Sequence, residues 1–350
     1  MRLSHSGDSL SASNRRPAVD GSFSSNEHDR YTVGWICALP IEMAMAVGML
    51  DERHDSLPQN PHDHNNYTLG RLGPHNVAIA CLPAGVTGVT SAARVASQMR
   101  LTFTGLRFGL MVGIGGGVPS EENDIRLGDV VVSQPAGTSG GVIQYDFGKT
   151  VQEGQFERTG SLNKPPDVLL NAVANLKARH LVDEPVLARY VADLGSKHSR
   201  LRMASTYPGV EHDQLFQADY DHPVGKASCI DCDIDRVARR ADREEQSPVV
   251  HYGLIASGNQ VMRDGRTRER LRRLMNVLCF EMEAAGLMDD FPCLVVRGIC
   301  DYADSHKNKQ WQAYAAATAA AYAKELLNII PSSQVVGTRQ IGEMASKIGE

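Results

Sequence analysis

The chain has 350 residues, of which 42% are hydrophobic, and a formal net charge of −5 at pH 7. This length and apolar content can bury one large core or two smaller ones, and α/β domains of this size are common as single units. The weakly acidic balance argues against electrostatic steering of the whole chain toward nucleic acid or an anionic membrane. We therefore expect neither among its partners.

The sequence carries no apolar run of the roughly 18 residues that span a bilayer; the longest candidate, 312–323, is too short. The first residues lack the apolar centre of a signal peptide. Seven cysteines are present, and most lie in apolar runs, as buried reduced thiols do. These are Cys37, Cys81, Cys279, Cys293 and Cys300. We expect a cytoplasmic or nuclear location.

Composition changes at both ends of the chain. Residues 1–28 are rich in Ser, Asn, Arg and Asp and poor in apolar residues, which predicts a disordered tail. The sequence turns polar again over 331–350, predicting a second tail or a linker. A polar, His- and Asp-rich stretch over about 200–248 is predicted to be an insertion in the domain that spans 29–330.

Strand-like and helix-like runs alternate between the tails. In chain order the predicted elements are strand 31–39, a helix from residue 40, strand 77–81, helix 90–100, strand 108–113, strand 130–132, helix 167–179, strand 249–256, helix 266–276, strand 278–280, helix 283–289, strand 293–299 and helix 310–330. The nearly continuous apolar run 293–299 is typical of a strand buried on both faces. The alternation predicts an α/β fold: a single three-layer α/β/α sandwich with a central mixed, mainly parallel sheet.

Glycines follow the predicted strand 108–113, giving the run GIGGG over 113–117. Such a loop lets a ligand approach the backbone and offers N–H groups to oxygens, although a simple tight turn is the alternative. The dinucleotide-binding fingerprint fails because Val118 stands where its third glycine is needed. The run GKT over 148–150 fails as a nucleotide-phosphate loop because Ile143 stands where a glycine is needed.

Cys229 and Cys232 form a CxxC pair, and His222 precedes it by seven residues. Structural zinc usually takes four protein ligands, and no second pair lies near this one in sequence. Zinc binding or redox chemistry stays open, but we expect a loop with two ordinary thiols. We therefore expect no metal and no cofactor.

Acidic residues follow two of the apolar strands. Glu281 and Glu283 lie two residues apart where a strand meets a helix, so both would share one face. Asp301 ends the last apolar strand, and ligands bind at the carboxyl edge of parallel strands in open α/β sheets. The alternatives are a surface acidic pair and a helix cap.

Four segments taken together resemble the nucleoside phosphorylase-I superfamily, which includes purine nucleoside phosphorylases and methylthioadenosine/S-adenosylhomocysteine nucleosidases. They are GIGGG at 113–117, LGDVVVS at 127–133, FEMEAA at 280–285 and RGICD at 297–301. The resemblance covers about 31–330 and implies one active site on a single α/β sandwich. The runs GWICALPIE, MVGIGGGVP, GLIASGNQVM and CFEMEAAGLM are further similar to fungal phosphorylase-like domains, often fused to NACHT, NB-ARC or ankyrin modules.

The resemblance implies a role for each motif residue. Asp301 would act as general acid, giving its proton to N7 of a purine. Glu283 would accept hydrogen bonds from the ribose hydroxyls and favour the cationic sugar of the transition state. Met282 would pack on the ribose. Val261 and Met262 would face the base.

Departures from the phosphorylase pattern indicate the second reactant. Phosphorylases bind phosphate with an Arg before the glycine run and a Ser or Thr inside it, and those places hold Met111 and Ile114 here. Their first-loop Arg falls on Glu42, where the nucleosidases hold the attacking water with a glutamate. A carboxylate repels phosphate. We therefore expect hydrolysis, with Glu42 catalytic and Ile114 and Gly116 lining the substrate site.

The expected function is a purine nucleosidase that releases adenine from adenosine, ATP or methylthioadenosine, since some relatives in immune systems are similar to ATP nucleosidases. Asp301 suits adenine, whose 6-amino group can donate to a carboxylate, whereas the family often has Asn there for 6-oxopurines. One alternative is a phosphorylase whose phosphate is bound by Arg94 or Arg126. Another is a nucleotide-sensing module of a signalling protein. We also expect a homo-oligomer, dimeric or trimer-based.

Six arginines follow the segment expected to face the base, at 263, 266, 268, 270, 272 and 273. Arg263 and Arg266 are candidates to hold a 5′-phosphate chain, since Arg pairs with phosphate oxygens in a bidentate manner. The alternative is a solvated helix face. Helical spacing would turn at least some of Arg268, Arg270 and Arg272 away from the pocket, which makes them internal controls.

Overall fold

A computed structural model describes residues 25–226 and 228–342. Most of the predicted N-terminal tail and the last eight residues of the predicted C-terminal tail lie outside these ranges. The strands are β1 Tyr31–Cys37, β2 Glu52–His54, β3 Tyr67–Leu72, β4 His75–Cys81, β5 Phe108–Gly117, β6 Val130–Ser133, β7 Val142–Gln144, β8 Gly148–Thr150, β9 Phe156–Arg158, β10 Val250–Ser257, β11 Val277–Glu281 and β12 Cys293–Asp301. The helices are α1 Ser25–His28, α2 Pro40–Met49, α3 Val89–Thr102, α4 Asp167–His180, α5 Leu187–Lys197, α6 Ser199–Arg202, α7 Gly265–Met275, α8 Gln312–Ile329 and α9 Ser332–Val336.

Ten of these strands form a central mixed sheet with the order β11-β10-β6-β12-β5-β1-β4-β3-β2, and β7 pairs with β10. Most pairings are parallel, including β1 with β4 and β5, and β12 with β5. Strands β2, β3 and β4 pair antiparallel, as do β6 and β12. The α/β prediction with a mixed, mainly parallel sheet is confirmed. The sheet brings the carboxyl ends of β1, β5 and β12 side by side.

Helix α8 packs along β12 and β5 and also contacts α2 and α5. The helix approaches β12 closely at Gly298, where a Cβ would collide with the Ala315 carbonyl. Most of the residues of the helix are buried. Among the helices that the structure describes, none is both long enough and apolar enough to cross a membrane.

The glycine run is part of a strand and not a loop, which corrects both sequence interpretations of it. Strand β5 continues to Gly117, pairing with β12 on one side and with β11 at Gly116 and Gly117. A Cβ at Gly113 would lie 2.5 Å from Arg297 and from Glu42. The glycines therefore make room for charged side chains of neighbouring elements beside an extended backbone.

The helix predicted over 283–289 is wrong; the structure has a 3₁₀ turn, Ala284–Gly286. The turn is fixed from outside, since the Glu281 carboxylate accepts hydrogen bonds from the N–H groups of Glu283 and Ala284. A Cβ at Gly286 would collide with the Val89 carbonyl at the start of α3. Close packing against α3 thus replaces the helix that local propensity favoured.

The segment 200–248 contains, among its described residues, the end of α6, three 3₁₀ turns and an isolated bridge between Phe216 and Val237. Its status as an insertion stays a prediction, as does the domain boundary at 330. Beyond that boundary α9 packs on the domain, with Val335 and Ile341 buried. The N–H of Ile341 donates to the Leu106 carbonyl at 2.9 Å.

Candidate active site

A cavity of about 230 Å³ lies at the carboxyl ends of β1, β5, β11 and β12. Eight of the ten residues that the sequence assigned to the site line it: Glu42, Ile114, Gly116, Val261, Met262, Met282, Glu283 and Asp301. The cavity is slightly smaller than the roughly 300 Å³ at which typical small-molecule sites begin. A second cavity of about 590 Å³, under the segment 200–248, also touches Asp301. Asp301 therefore lies on the boundary of both.

Glu42 lies in the first turn of α2, directly after β1. Helix α2 starts with Pro40, whose fixed φ suits the first helical position. One carboxylate oxygen of Glu42 accepts hydrogen bonds from the N–H groups of Ala38 and Leu39 at 2.7 and 2.9 Å. The other accepts from the N–H of Ile114 at 2.8 Å. Burial raises the pKa of Glu42, while Arg297 and these N–H groups oppose the increase. The carboxylate is thus held in one orientation at the cavity wall.

Arg297 is fully buried and contacts the acidic side chains around the cavity. Its Nη2 donates to a Glu281 oxygen and lies 3.3 Å from a Glu283 oxygen, and its charge also acts on Glu42. Burial lowers the pKa of Arg297, but the three carboxylates raise it more, so it stays a cation. One positive charge therefore faces three carboxyl groups, which favours protonation of one of them.

Glu283 follows β11 and is also buried. One of its oxygens accepts a hydrogen bond from the N–H of Gly88 at 3.4 Å. Burial raises the pKa of Glu283 to about 7, with Arg297 opposing and Glu281 and Glu42 adding to the increase. Both Glu281 and Glu283 are less than a tenth exposed, so the alternative of a surface acidic pair is wrong.

Asp301 ends β12 with its carboxylate in the cavity wall. One oxygen accepts a hydrogen bond from the N–H of Ala303 at 2.9 Å, and the other lies 2.8 Å from Nζ of Lys307. Ala303 has a φ of 52°, a strained conformation for a residue with a Cβ. Helix α8 begins only at Gln312, so the alternative of a helix cap is wrong. A Cβ at Gly116 would lie 2.8 Å from the Asp301 carboxylate, so only glycine leaves it room.

The segment 257–262 runs past the cavity, where Gln260 lines the wall together with the apolar residues Val261 and Met262. Two hydrogen bonds anchor it: the Asn259 N–H donates to Asp146 at 2.7 Å, and the Tyr145 hydroxyl donates to the Gln260 carbonyl at 2.8 Å. Met282 lines the cavity beside Glu283. The wall can therefore accept a flat apolar group next to the charged groups.

Arg263 and Arg266 are not brought to the cavity wall. Arg263 is exposed, although its charge acts on Lys307. Arg266 is exposed and pairs with Asp221 at 2.8 Å. Their assignment to a phosphate chain stays a prediction. The expectation that Arg268 can serve as an internal control is wrong, because its side chain is buried and donates a hydrogen bond to the Tyr302 carbonyl at 2.7 Å.

Met111, which stands in the place of a phosphorylase arginine, and the two arginines of the phosphorylase alternative lie outside the cavity wall. Met111 is buried in β5 and is not part of the cavity wall. Arg94 is exposed on α3. Arg126 pairs with Asp124 at 2.8 Å and donates to the Ala241 carbonyl, lining a different cavity. Among the described residues of the cavity wall, the cationic side chain is that of Lys307.

Sequence reasoning missed Arg297, Lys307 and the positioning contacts of Glu281. Arg297 carries a signal, since an arginine inside a strand otherwise buried on both faces requires buried carboxylates nearby. Lys307 carries none, because it follows β12 in a polar loop. Its place beside Asp301 depends on the path of that loop.

Known proteins resemble the chain over most of its length. The sequence model of a family described as the phosphorylase superfamily matches residues 32–330. A nucleotide-binding leucine-rich repeat (NLR)-like protein of the fungus Hyaloscypha variabilis is 47% identical over 323 residues. That match covers 92% of this chain and 31% of the relative, so the chain spans about a third of the fungal protein.

Two bacterial relatives are more distant. A 5′-methylthioadenosine/S-adenosylhomocysteine nucleosidase of Mycobacterium bovis is 25% identical, covering 86% of this chain and 97% of the relative. The ATP nucleosidase Cap17 of Escherichia coli is 26% identical, covering 81% of this chain and 48% of the relative. Among solved structures, futalosine hydrolase of Helicobacter pylori aligns with a TM-score of 0.54 at 16% identity, covering 86% of this chain and 99% of that one. This last likeness concerns the fold.

Proposed function

The chain belongs to the phosphorylase superfamily, and from this premise we propose that it is a purine nucleosidase. It hydrolyses the N-glycosidic bond of an adenine nucleoside or nucleotide and releases adenine. The observation that carries the proposal is the Glu42 carboxylate, fixed by three backbone N–H groups at the cavity wall where a phosphorylase needs a cation.

Glu42 and Glu283 act on the sugar side of the reaction. Water attacks C1′ of the ribose while the bond from C1′ to the base breaks, and positive charge develops on the sugar. Glu42 holds the water and accepts its proton, a role that its raised pKa favours, since a base works best with a pKa near the working pH. Glu283, when ionised, accepts hydrogen bonds from the ribose hydroxyls and stabilises the cationic sugar.

Asp301 acts on the base. It supplies the proton that N7 of the purine takes as electrons move onto the leaving base. Lys307 holds one carboxylate oxygen at 2.8 Å and the Ala303 N–H holds the other, which fixes the carboxyl plane at the cavity wall. Val261 and Met262 supply apolar surface for the purine, and Met282 supplies it for the ribose.

Phosphate is disfavoured as the nucleophile by charge. The cavity wall brings Glu42, Glu281 and Glu283 together, and Arg297 already pairs with two of them. A phosphate dianion beside Glu42 would face three carboxyl groups, while the nearby cations Arg297 and Lys307 are already paired with carboxylates, and like charges at this range repel. The two bacterial relatives described above are named as nucleosidases, which supports water as the nucleophile.

The proposed substrate is an adenine nucleoside or nucleotide. The names of the relatives include methylthioadenosine and ATP. Because the cavity holds about 230 Å³, a triphosphate chain would have to extend beyond it. The fungal relative is about three times longer than the matched segment and is named as NLR-like, so a sensing role within a longer protein is the second candidate. A homo-oligomer stays a prediction.

Product analysis tests the proposal. Adenosine, methylthioadenosine and ATP are each incubated with the protein in ¹⁸O-labelled water, first without phosphate and then with excess phosphate. We expect free adenine in both buffers and a sugar product two mass units heavier than in ordinary water. Appearance of ribose 1-phosphate, or release of base only with phosphate, would establish phosphorolysis instead. Tight binding of all three without turnover would favour the sensing role.

A further inference from the structure

Three potential metal ligands meet in the segment 200–248, away from the proposed catalytic groups. The ligand atoms of His222, Cys229 and Cys232 all lie within 4.8 Å of one another, and each side chain is partly buried. A 3₁₀ turn, Cys229–Asp231, brings the two cysteines together, with the Cys232 N–H donating to the Cys229 carbonyl at 3.1 Å. The sequence placed His222 seven residues before this pair, and the structure brings its ring to the two thiols.

A buried imidazole beside the cluster is a second, independent observation. His306 is 8% exposed, and neither of its ring nitrogens has a hydrogen-bond partner within the described part of the chain, while Nδ1 lies 3.6 Å from an Asp304 oxygen. Its ring stacks on Phe216 and lies 5.5 Å from the His222 ring. Its carbonyl oxygen lies 3.8 Å from Sγ of Cys229. Buried polar groups without partners are rare and indicate a missing ligand or water.

We propose that His222, Cys229 and Cys232 bind a zinc ion. Two thiolates and one imidazole are the donors that zinc prefers, at about 2.3 Å from sulfur and 2.0–2.1 Å from nitrogen. Donor atoms at those radii lie about 3–4 Å apart in a tetrahedral site. The ring nitrogens of His222 lie 3.1 Å from the carbonyl oxygens of Pro223 and Ser228, so metal binding replaces one of these two contacts. The fourth position is open to a water or to the His306 imidazole.

The ion holds three residues of the segment 200–248 together, and one of them, His222, contacts the loop that follows β12. The His222 N–H donates to the Ser305 hydroxyl at 2.9 Å, two residues before Lys307. Lys307 in turn holds the Asp301 carboxylate. A zinc ion at the cluster therefore stabilises the part of the protein that packs beside Lys307 and Asp301. Metal binding adds to the folding free energy because the site does not exist in the unfolded chain.

The test is metal content of the full chain, purified under reducing conditions without chelator. We expect about one zinc per chain by plasma mass spectrometry. Co²⁺ substituted for the zinc should give the thiolate charge-transfer absorption. The Cys229→Ser/Cys232→Ser double variant should lose both signals. The Cys81→Ser variant, which removes a partly exposed thiol of β4, should keep them.

A second variant keeps the test valid where the double variant does not fold. His222→Gln retains both thiols and should weaken zinc binding by at least about tenfold. The inference is overturned where reduced wild-type protein neither carries zinc nor binds added Zn²⁺ or Co²⁺. Equal zinc affinity of wild type and His222→Gln overturns it too, as does a Cys229–Cys232 disulfide, seen as a loss of two hydrogens in the freshly isolated protein.

Discussion

The two ends of the cavity achieve the same task, holding carboxyl groups in place, by different physical means. At the inner end, Glu42, Glu281 and Glu283 surround the buried cation Arg297, and backbone N–H groups fix their orientation. At the outer end, Asp301 pairs with a partly exposed lysine on a loop beside the segment 200–248. The inner end therefore controls protonation through burial and charge, whereas the outer end relies on a pair with a partly exposed lysine and on the Ala303 N–H.

The largest effect should come from the outer end. Asp301→Asn removes the proton that N7 needs but keeps the shape of the side chain. General acid catalysis contributes about 10²- to 10⁴-fold, so we expect kcat for adenine release to fall by that factor. Initial rates and a thermal melt of the same preparation check this, since the melting temperature should change little.

Asp183→Asn is the matched control, because Asp183 is an exposed carboxylate beyond α4 and should leave kcat unchanged. A rate for Asp301→Asn close to that of the wild type would remove Asp301 from the mechanism. The outer end would then be a binding surface without a chemical role.

The inner end should respond in stability. Arg297→Met leaves three buried carboxyl groups without their cation, and removing one partner of a buried charge cluster costs about 3–5 kcal/mol. We expect the free energy of unfolding to fall by that amount in a urea titration. Arg71→Met is the control, because Arg71 pairs with Glu52 on the surface, where such pairs contribute about 1 kcal/mol or less. Equal losses in both variants would contradict the special status of the inner end.

At both ends of the cavity the sequence predicted the carboxyl groups better than the cations that pair with them, since Arg297 and Lys307 were both missed. Strands β1, β5 and β12 follow from apolar runs and are parallel neighbours, so their carboxyl ends meet at one edge, where Asp301 was expected. The roles of Glu42 and Glu283 came from the family resemblance, and β11, which precedes Glu283, pairs antiparallel with β5. The extent of β5 could not be predicted, since glycine has low strand propensity and its place depends on charged side chains of neighbouring elements. The position of Lys307 could not be predicted either, because it depends on the path of the loop that follows β12.

The pH dependence sharpens the comparison, because Glu283 has a pKa raised to about 7 by burial. If the ionised form stabilises the cationic sugar, kcat/KM should rise about tenfold per pH unit below 7 and level off above it. The stability of the free protein should change in the opposite direction. A carboxyl group whose pKa is raised on folding stabilises below its unfolded pKa, and that stability is lost as pH rises through about 7.

Glu281→Gln tests the assignment of that inflection. It removes a negative charge that raises the pKa of Glu283 and leaves Arg297 free to pair with Glu283. Both changes lower the pKa, so the midpoint of the rate profile should move to lower pH. A profile without an inflection near pH 7, or a midpoint that moves to higher pH in the variant, would exclude Glu283 as its source.

The smallest effect concerns a phosphate chain leaving the cavity at the outer end. Arg263 follows Met262 of the cavity wall, and its charge acts on Lys307, but its side chain is exposed. Exposed ion pairs contribute about 0.2–1 kcal/mol, which corresponds to at most about a fivefold change. Arg263→Gln should therefore lower kcat/KM for ATP by up to about fivefold and leave adenosine cleavage unchanged, since adenosine has no phosphate.

Arg270→Gln is the control for that measurement, because Arg270 is an exposed residue of α7 outside the cavity wall and replaces Arg268 in this use. Raising the ionic strength should remove the difference between Arg263→Gln and wild type, since salt screens exposed charges. At high ionic strength, Arg263→Gln and Arg270→Gln should therefore have the same kcat/KM for ATP. A fall in adenosine cleavage as large as that for ATP would mean that Arg263 acts on the cavity itself. Equal kcat/KM values for ATP in Arg263→Gln and Arg270→Gln at low salt would mean that Arg263 does not bind a phosphate chain, or that ATP is not the substrate. Either result would remove Arg263 as a selective contact for a phosphate chain.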